Sequence, residues 1–194
     1  MRLVLLFALL GMTVSAAQAD DSPALRTLLF GHAIEGKDSG YACFSRVYDT
    51  AHLKAHPKQN VTEALMLLKG AYNEDAPTSL QYMPMLDFKF RNSKKHFQAT
   101  GDCSSVAAEG AGVKMSCGVD CDGGTINVTL KDPDTVLVAL PNGVAVTGPG
   151  KNDEPSYKHF GSDDTVFKLT RTTLPNCMPL ASEDEDKAAL KKAP

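Results

Sequence analysis

The chain has 194 residues, with 20 basic against 23 acidic side chains, a formal net charge of −3 and no tryptophan. That balance argues against a nucleic-acid partner, because phosphate binding wants a basic surface and base stacking wants exposed rings. The length suits one domain.

Met1 and Arg2 give a short positive start, residues 3–10 are unbroken apolar, and Ala17-Gln18-Ala19 has the small-x-small shape of a cleavage site. The pattern predicts a secretory signal over residues 1–19, removed before Asp20. The apolar run is shorter than the ~20 residues a spanning helix needs, and no later segment is long enough, so no membrane span is expected. A single disulfide-stapled β-rich domain is expected over residues 20–180, followed by a charged flexible tail over 181–194. In an exported chain the cysteines should mostly be oxidised. Their number is five, so at least one is left over.

Residues 25–30 form a short apolar run that reads as a helix. In VYDTAHLKAHPKQ, Asp49, His52 and His56 are spaced by three and four. On a helix they would share a face and could hold a metal, although Pro57 pushes His56 out of helical geometry. Otherwise they form a polar loop whose histidines bond to backbone. Over residues 60–70, Asn60 and Glu63 resemble a capping box, good helix formers follow, and Gly70 can close the turn. Propensity favours a helix there, with a buried strand as the alternative.

From residue 86 to residue 174 the rhythm changes to a period of two. Leu86, Phe88 and Phe90 alternate with charged residues, and Phe97 and Ala99 continue the pattern. Val113, Met115, Cys117, Val119 and Cys121 make a further strand, and Ile126, Val128 and Leu130 another. Residues 135–140 are apolar throughout, and residues 165–173 carry the last strand. Such alternation marks strands with one buried and one wet face. Asp122-Gly123, Asp132-Pro133-Asp134 and Asn142-Gly143 supply turn chemistry. Asp122-Gly123 as a two-residue turn sets Val119 opposite Ile126, Cys117 opposite Val128 and Met115 opposite Leu130. The expected fold is mainly β: a single antiparallel meander closing into a small β-barrel, with one or two short helices in the N-terminal third. A β-sandwich is the alternative.

Cys117 and Cys121 lie four residues apart, about 13 Å on a regular strand. A disulfide needs Cα atoms within about 7 Å, so the two cannot join, and both read as core residues. Cys103 falls opposite Cys117 if the hairpin turns around Glu109-Gly110-Ala111, which predicts Cys103–Cys117. Cys43–Cys177 would then tie the ends of the domain and leave Cys121 odd. A bond from Cys43 or Cys177 to Cys121 is the alternative.

The long polar stretch over residues 148–164 offers Tyr157, His159 and Phe160 as ligand or partner contacts, with Tyr48, His52 and His56 near the other irregular segment. Asp163-Asp164 reads as solvated charge. No Gly-x-Ser-x-Gly elbow and no Walker loop is present, so no catalytic residue is assigned. The expected function is a non-enzymatic binding or interaction protein, taking a small apolar ligand in the barrel mouth or an exported partner protein. The alternative is a metal- or haem-handling protein using Asp49, His52 and His56. No cofactor is expected outside that alternative.

At CFSRVYDTAHLKAHPKQNV and CGVDCDGG the chain resembles a family of small exported bacterial proteins with no assigned activity. The resemblance covers Cys43 to about Cys177. It implies a periplasmic location and one domain, and carries no catalytic residue onto this chain.

Overall fold

The computed structural model describes residues 23–73, 79–109, 112–148, 154–157 and 160–192, with side chains undescribed at 23–24, 104–109 and 112. The signal sequence expected over 1–19 lies outside them. Two short helices, α1 (Pro23–Phe30) and α2 (Thr50–Ala55), flank the first strand, β1 (Ser39–Val47). The meander runs through β2 (Val61–Tyr72), β3 (Leu80–Phe90), β4 (His96–Thr100), β5 (Asp102–Glu109), β6 (Gly112–Gly118), β7 (Thr125–Asp132) and β8 (Thr135–Ala139). After a small hairpin of β9 (Ala145–Val146) and β10 (Ser156–Tyr157), β11 (Val166–Thr172) returns to the sheet. A 3₁₀ helix, Leu174–Leu180, and α3, Asp184–Lys192, complete the chain.

The sheet order is β4-β3-β2-β1-β11-β8-β7-β6-β5, antiparallel throughout. Its two edges, β4 and β5, are halves of one bent strand joined at Gly101. The Gly101 N–H donates to the carbonyl of Pro84 at 3.0 Å, and a Cβ here would crowd Gly118 O at 3.2 Å and Cys117 Cβ at 3.3 Å. The bend needs glycine's small volume, and through it the sheet becomes a nearly closed barrel rather than a sandwich.

The interior is packed by the side chains described. Phe44, Met66, Leu68, Tyr82, Leu86, Phe88, Met115, Ile126, Leu130 and Phe167 are all buried in one cluster. Barrels of about eight strands are just wide enough for side chains to fill. At the end where β1 begins, α1 adds Leu25, Leu29 and Phe30 to that cluster. The Phe30 ring lies where a Cβ on Gly40 would stand, 2.5 Å away, and Gly40 pairs with Gly70 across the β1–β2 ladder.

Both expected disulfides are present, Cys43–Cys177 and Cys103–Cys117. They fit an oxidising, exported environment. Cys103 stands opposite Cys117 as expected, while residues 110–111 of that turn lie outside the described part. No helix among the described residues is long and apolar enough to cross a membrane.

Four expectations need correction. Residues 60–70 are not a helix but most of β2. Met66 and Leu68 face the interior, while Leu67 is buried in a second cluster on the outer wall. With both faces covered, the strand loses its alternation and keeps only its helix-like propensities, which burial overrides.

The tail expected to be flexible over 181–194 instead carries α3. Leu190 is fully buried, and Asp186 accepts from the Tyr41 hydroxyl at 2.6 Å and pairs with Lys69 at 2.7 Å.

The β6–β7 register places Val113 opposite Leu130, Met115 opposite Val128 and Cys117 opposite Ile126. It is offset by two residues from the expected one, so every inward side chain keeps its face. The reversal is wider than two residues: Cys121 and Asp122, not Asp122 and Gly123, take the left-handed conformation, with φ of 56° and 58°.

Cys121 therefore sits exposed in the turn and unbonded, not in the core.

Candidate functional site

The second helix begins because Asp49 caps it. The Asp49 carboxylate accepts from the His52 N–H at 2.7 Å, satisfying one of the donors a helix start leaves unpaired. Pro57 prevents continuation, and the end is held from the loop after β3. Arg91 on the loop after β3 donates to the carbonyls of Leu53 at 2.6 Å, His56 at 2.9 Å and Gln59 at 2.6 Å. A cation on the last carbonyls of a helix complements their partial negative charge. Two turns of marginal helix are thus clamped at both ends.

Clamping α2 produces a stack. The Tyr48 ring lies 4.8 Å from His52, and His52 lies 4.3 Å from His56, both near parallel. The Arg46 guanidinium covers the Tyr48 ring at 5.5 Å, within cation–π range. Gln59 donates its amide N–H to the carbonyl of Val61 at 2.8 Å. Its oxygen therefore faces His52 and accepts from Nε2–H at 3.0 Å, which fixes the tautomer and orientation of that imidazole. Burial pushes the Tyr48 hydroxyl pKa up; Arg46 opposes this and Asp164 adds to it.

Opposite the stack stands the outer face of β11, with Val166, Lys168 and Thr170. Together with Arg46, Gln59 and Asp163 they enclose a cleft of about 420 Å³. Arg46 and Lys168 form no ion pair among the described residues. Two cations held in no ion pair, one carboxylate (Asp163), two imidazoles and a phenol thus converge on one space.

The wall near the cleft is pinned by Asp164, which is buried. Its carboxylate accepts from the backbone N–H groups of Asn60 at 2.7 Å, Gly161 at 2.7 Å and Val61 at 3.2 Å. The approach leaves no room for a side chain at Gly161, where a Cβ would stand 1.6 Å from the Lys58 carbonyl oxygen. Asp164 is thus a positioning residue and not the solvated charge its sequence context suggests.

Of the expected contact residues, Tyr48, His52 and His56 come together here. Phe160 does not: its ring packs edge-on against Phe88 at 5.2 Å and Phe90 at 5.3 Å and anchors the long loop in the core. Tyr157 is exposed on β10 and donates to the Asp122 carbonyl at 2.5 Å, away from the cleft. His159 lies outside the described residues. Asp49 is occupied as a helix cap, and among the described residues no group of three or more His, Cys, Asp or Glu is placed to hold a metal ion. Sequence reasoning missed Arg46, Gln59 and Lys168. Arg46 is visible in hindsight as the cation two residues before Tyr48; Lys168 arrives only through the β1–β11 ladder.

A second groove of about 400 Å³ runs over the outer wall of β1 to β4, lined by Ser45, Val47, Glu63, Leu65, His96 and Pro179 among others. On its floor the buried Asp87 accepts from His96 Nδ1 at 2.6 Å and from Gln98 at 3.3 Å.

Compared with protein-family models, with curated proteins and with solved structures, the chain finds no match in any of the three.

Proposed function

We propose that this is a non-enzymatic binding protein of the periplasm that takes a small carboxylate with a planar apolar body in the cleft between α2 and β11. The observation that carries the reading is the pair of unpaired cations, Arg46 and Lys168, set around the Tyr48–His52–His56 stack. Cations select the headgroup, and ring faces favour a flat body over a flexible one. The interior side chains described are buried in one apolar cluster, which supports moving binding from the mouth to the outer wall. The metal-handling alternative lacks an assembled set of three ligands among the described residues.

Benzoate is a suitable probe, with benzamide as its neutral counterpart. Titration followed by amide chemical shifts should give saturable changes at Tyr48, His52, Val166 and Lys168 with benzoate, and much weaker ones with benzamide. Arg46→Gln or Lys168→Gln should each weaken benzoate binding about tenfold, the loss of one charged contact. Equal binding of the two probes, or shifts scattered away from α2 and β11, would overturn the reading.

A further inference from the structure

The cleft and the groove are not separate. Arg46 lines both. Ser45, in the groove, stands directly opposite Thr170, in the cleft, across the β1–β11 ladder. Between the two lies Val47, 69% exposed, and Val166 on the cleft side is 51% exposed. These are two of the four large hydrophobic side chains that stand out into solvent among the described residues. The groove itself presents Val47, Ala64, Leu65 and Pro179. The acidic residues that line it are already engaged: Glu63 pairs with Lys89, and Asp87 accepts hydrogen bonds from His96 and Gln98. One continuous surface therefore carries Arg46 and Lys168, with the single carboxylate Asp163, at one end and is largely apolar at the other.

We infer that the surface binds a single anionic amphiphile, an unbranched alkyl carboxylate. Its headgroup sits between Arg46 and Lys168, and its chain crosses Val47 into the groove over Leu65. The inference rests on the anion-binding reading of the cleft and adds the chain site to it. Charge complementarity determines the direction. The chain cannot lie among the cations and imidazoles without stripping their water, and the carboxylate gains nothing from a groove that offers it Glu63 and Asp87.

The test compares butyrate with decanoate, and decanoate with decanol, on the oxidised mature chain, following amide shifts below the concentration at which decanoate aggregates. Both carboxylates should move Tyr48, His52 and Lys168. Decanoate should bind about tenfold tighter or more, because additional methylenes leave water, and should also move Val47, Leu65 and His96. Val47→Asn, which adds no charge beside Arg46, should shrink the gain from butyrate to decanoate; Val47→Thr, which keeps the branched strand side chain, checks that the fold tolerates a polar group there. If butyrate and decanoate bind equally, with shifts confined to the cleft, the chain site is wrong while the anion reading stands. If neither moves the cleft, both are wrong. Decanol binding as tightly as decanoate would overturn the link between headgroup and groove. So would binding to anionic vesicles without binding to monomeric decanoate.

Discussion

Asp164 shows how much of the site's geometry hangs on one side chain. A carboxylate accepting three backbone N–H groups in a buried place is doubly committed: it needs them for its own desolvation, and it supplies each of them with an acceptor. Replacing it with alanine removes the acceptor from three donors, and the expected cost is about 3 kcal/mol or more, read from urea unfolding midpoints. The amide shift of His52 should move as well, because the same contacts hold residue 161 against the α2–β2 connection. A variant that unfolds at the wild-type midpoint would mean that water replaces the carboxylate at no cost. Nothing local in the sequence separates Asp164 from its neighbour Asp163, which lines the cleft. The distinction comes from Asn60 and Val61, brought beside it by the fold.

At the scale of elements, α3 is held to the outer wall by a polar contact as much as by Leu190. Burial, and then the hydrogen bond to Asp186, raise the Tyr41 pKa far above its usual value. The folded chain therefore retains the Tyr41 proton where the unfolded chain loses it. This contribution is complete below about pH 10, the unfolded value, and declines as pH rises beyond it. Stability should fall above that pH, and Tyr41→Phe should be less stable at neutral pH but show a shallower alkaline decline. An identical slope in both would mean that Tyr41 is not the group responsible. Alternation made β6 and β7 legible, though not their register, and of β3 only residues 86–90; residues 80–85 were not read as strand. The elements that were misread, β2 and α3, are those that meet each other across the outer wall. There Leu67 and Leu190 share a cluster, which hides the wet face from the pattern. The candidate site divides in the same way. Tyr48, His52 and His56 are close in sequence and could be grouped from spacing, whereas Lys168 is placed by pairing that no local pattern encodes.

At the scale of the molecule, the described core side chains fill the barrel and the cleft and groove lie outside, so the outer wall must be held in register by something other than the core. The Cys43–Cys177 bond does this. It joins the outer face of β1 to the 3₁₀ helix across a sequence separation of 134, against 14 for Cys103–Cys117. In the chain-entropy view, the longer closure restricts the unfolded chain more, by about 5 kcal/mol against about 3. Cys43→Ala with Cys177→Ala should therefore lower the unfolding midpoint more than Cys103→Ala with Cys117→Ala, although the short bond lies nearer the barrel core. The first pair of changes should also loosen Pro179 and with it one wall of the groove, so decanoate affinity should fall while butyrate affinity holds. The reverse order of stability would mean that the wall is held by the packing of Leu67, Leu180 and Leu190 alone, with the disulfide only recording a contact already made.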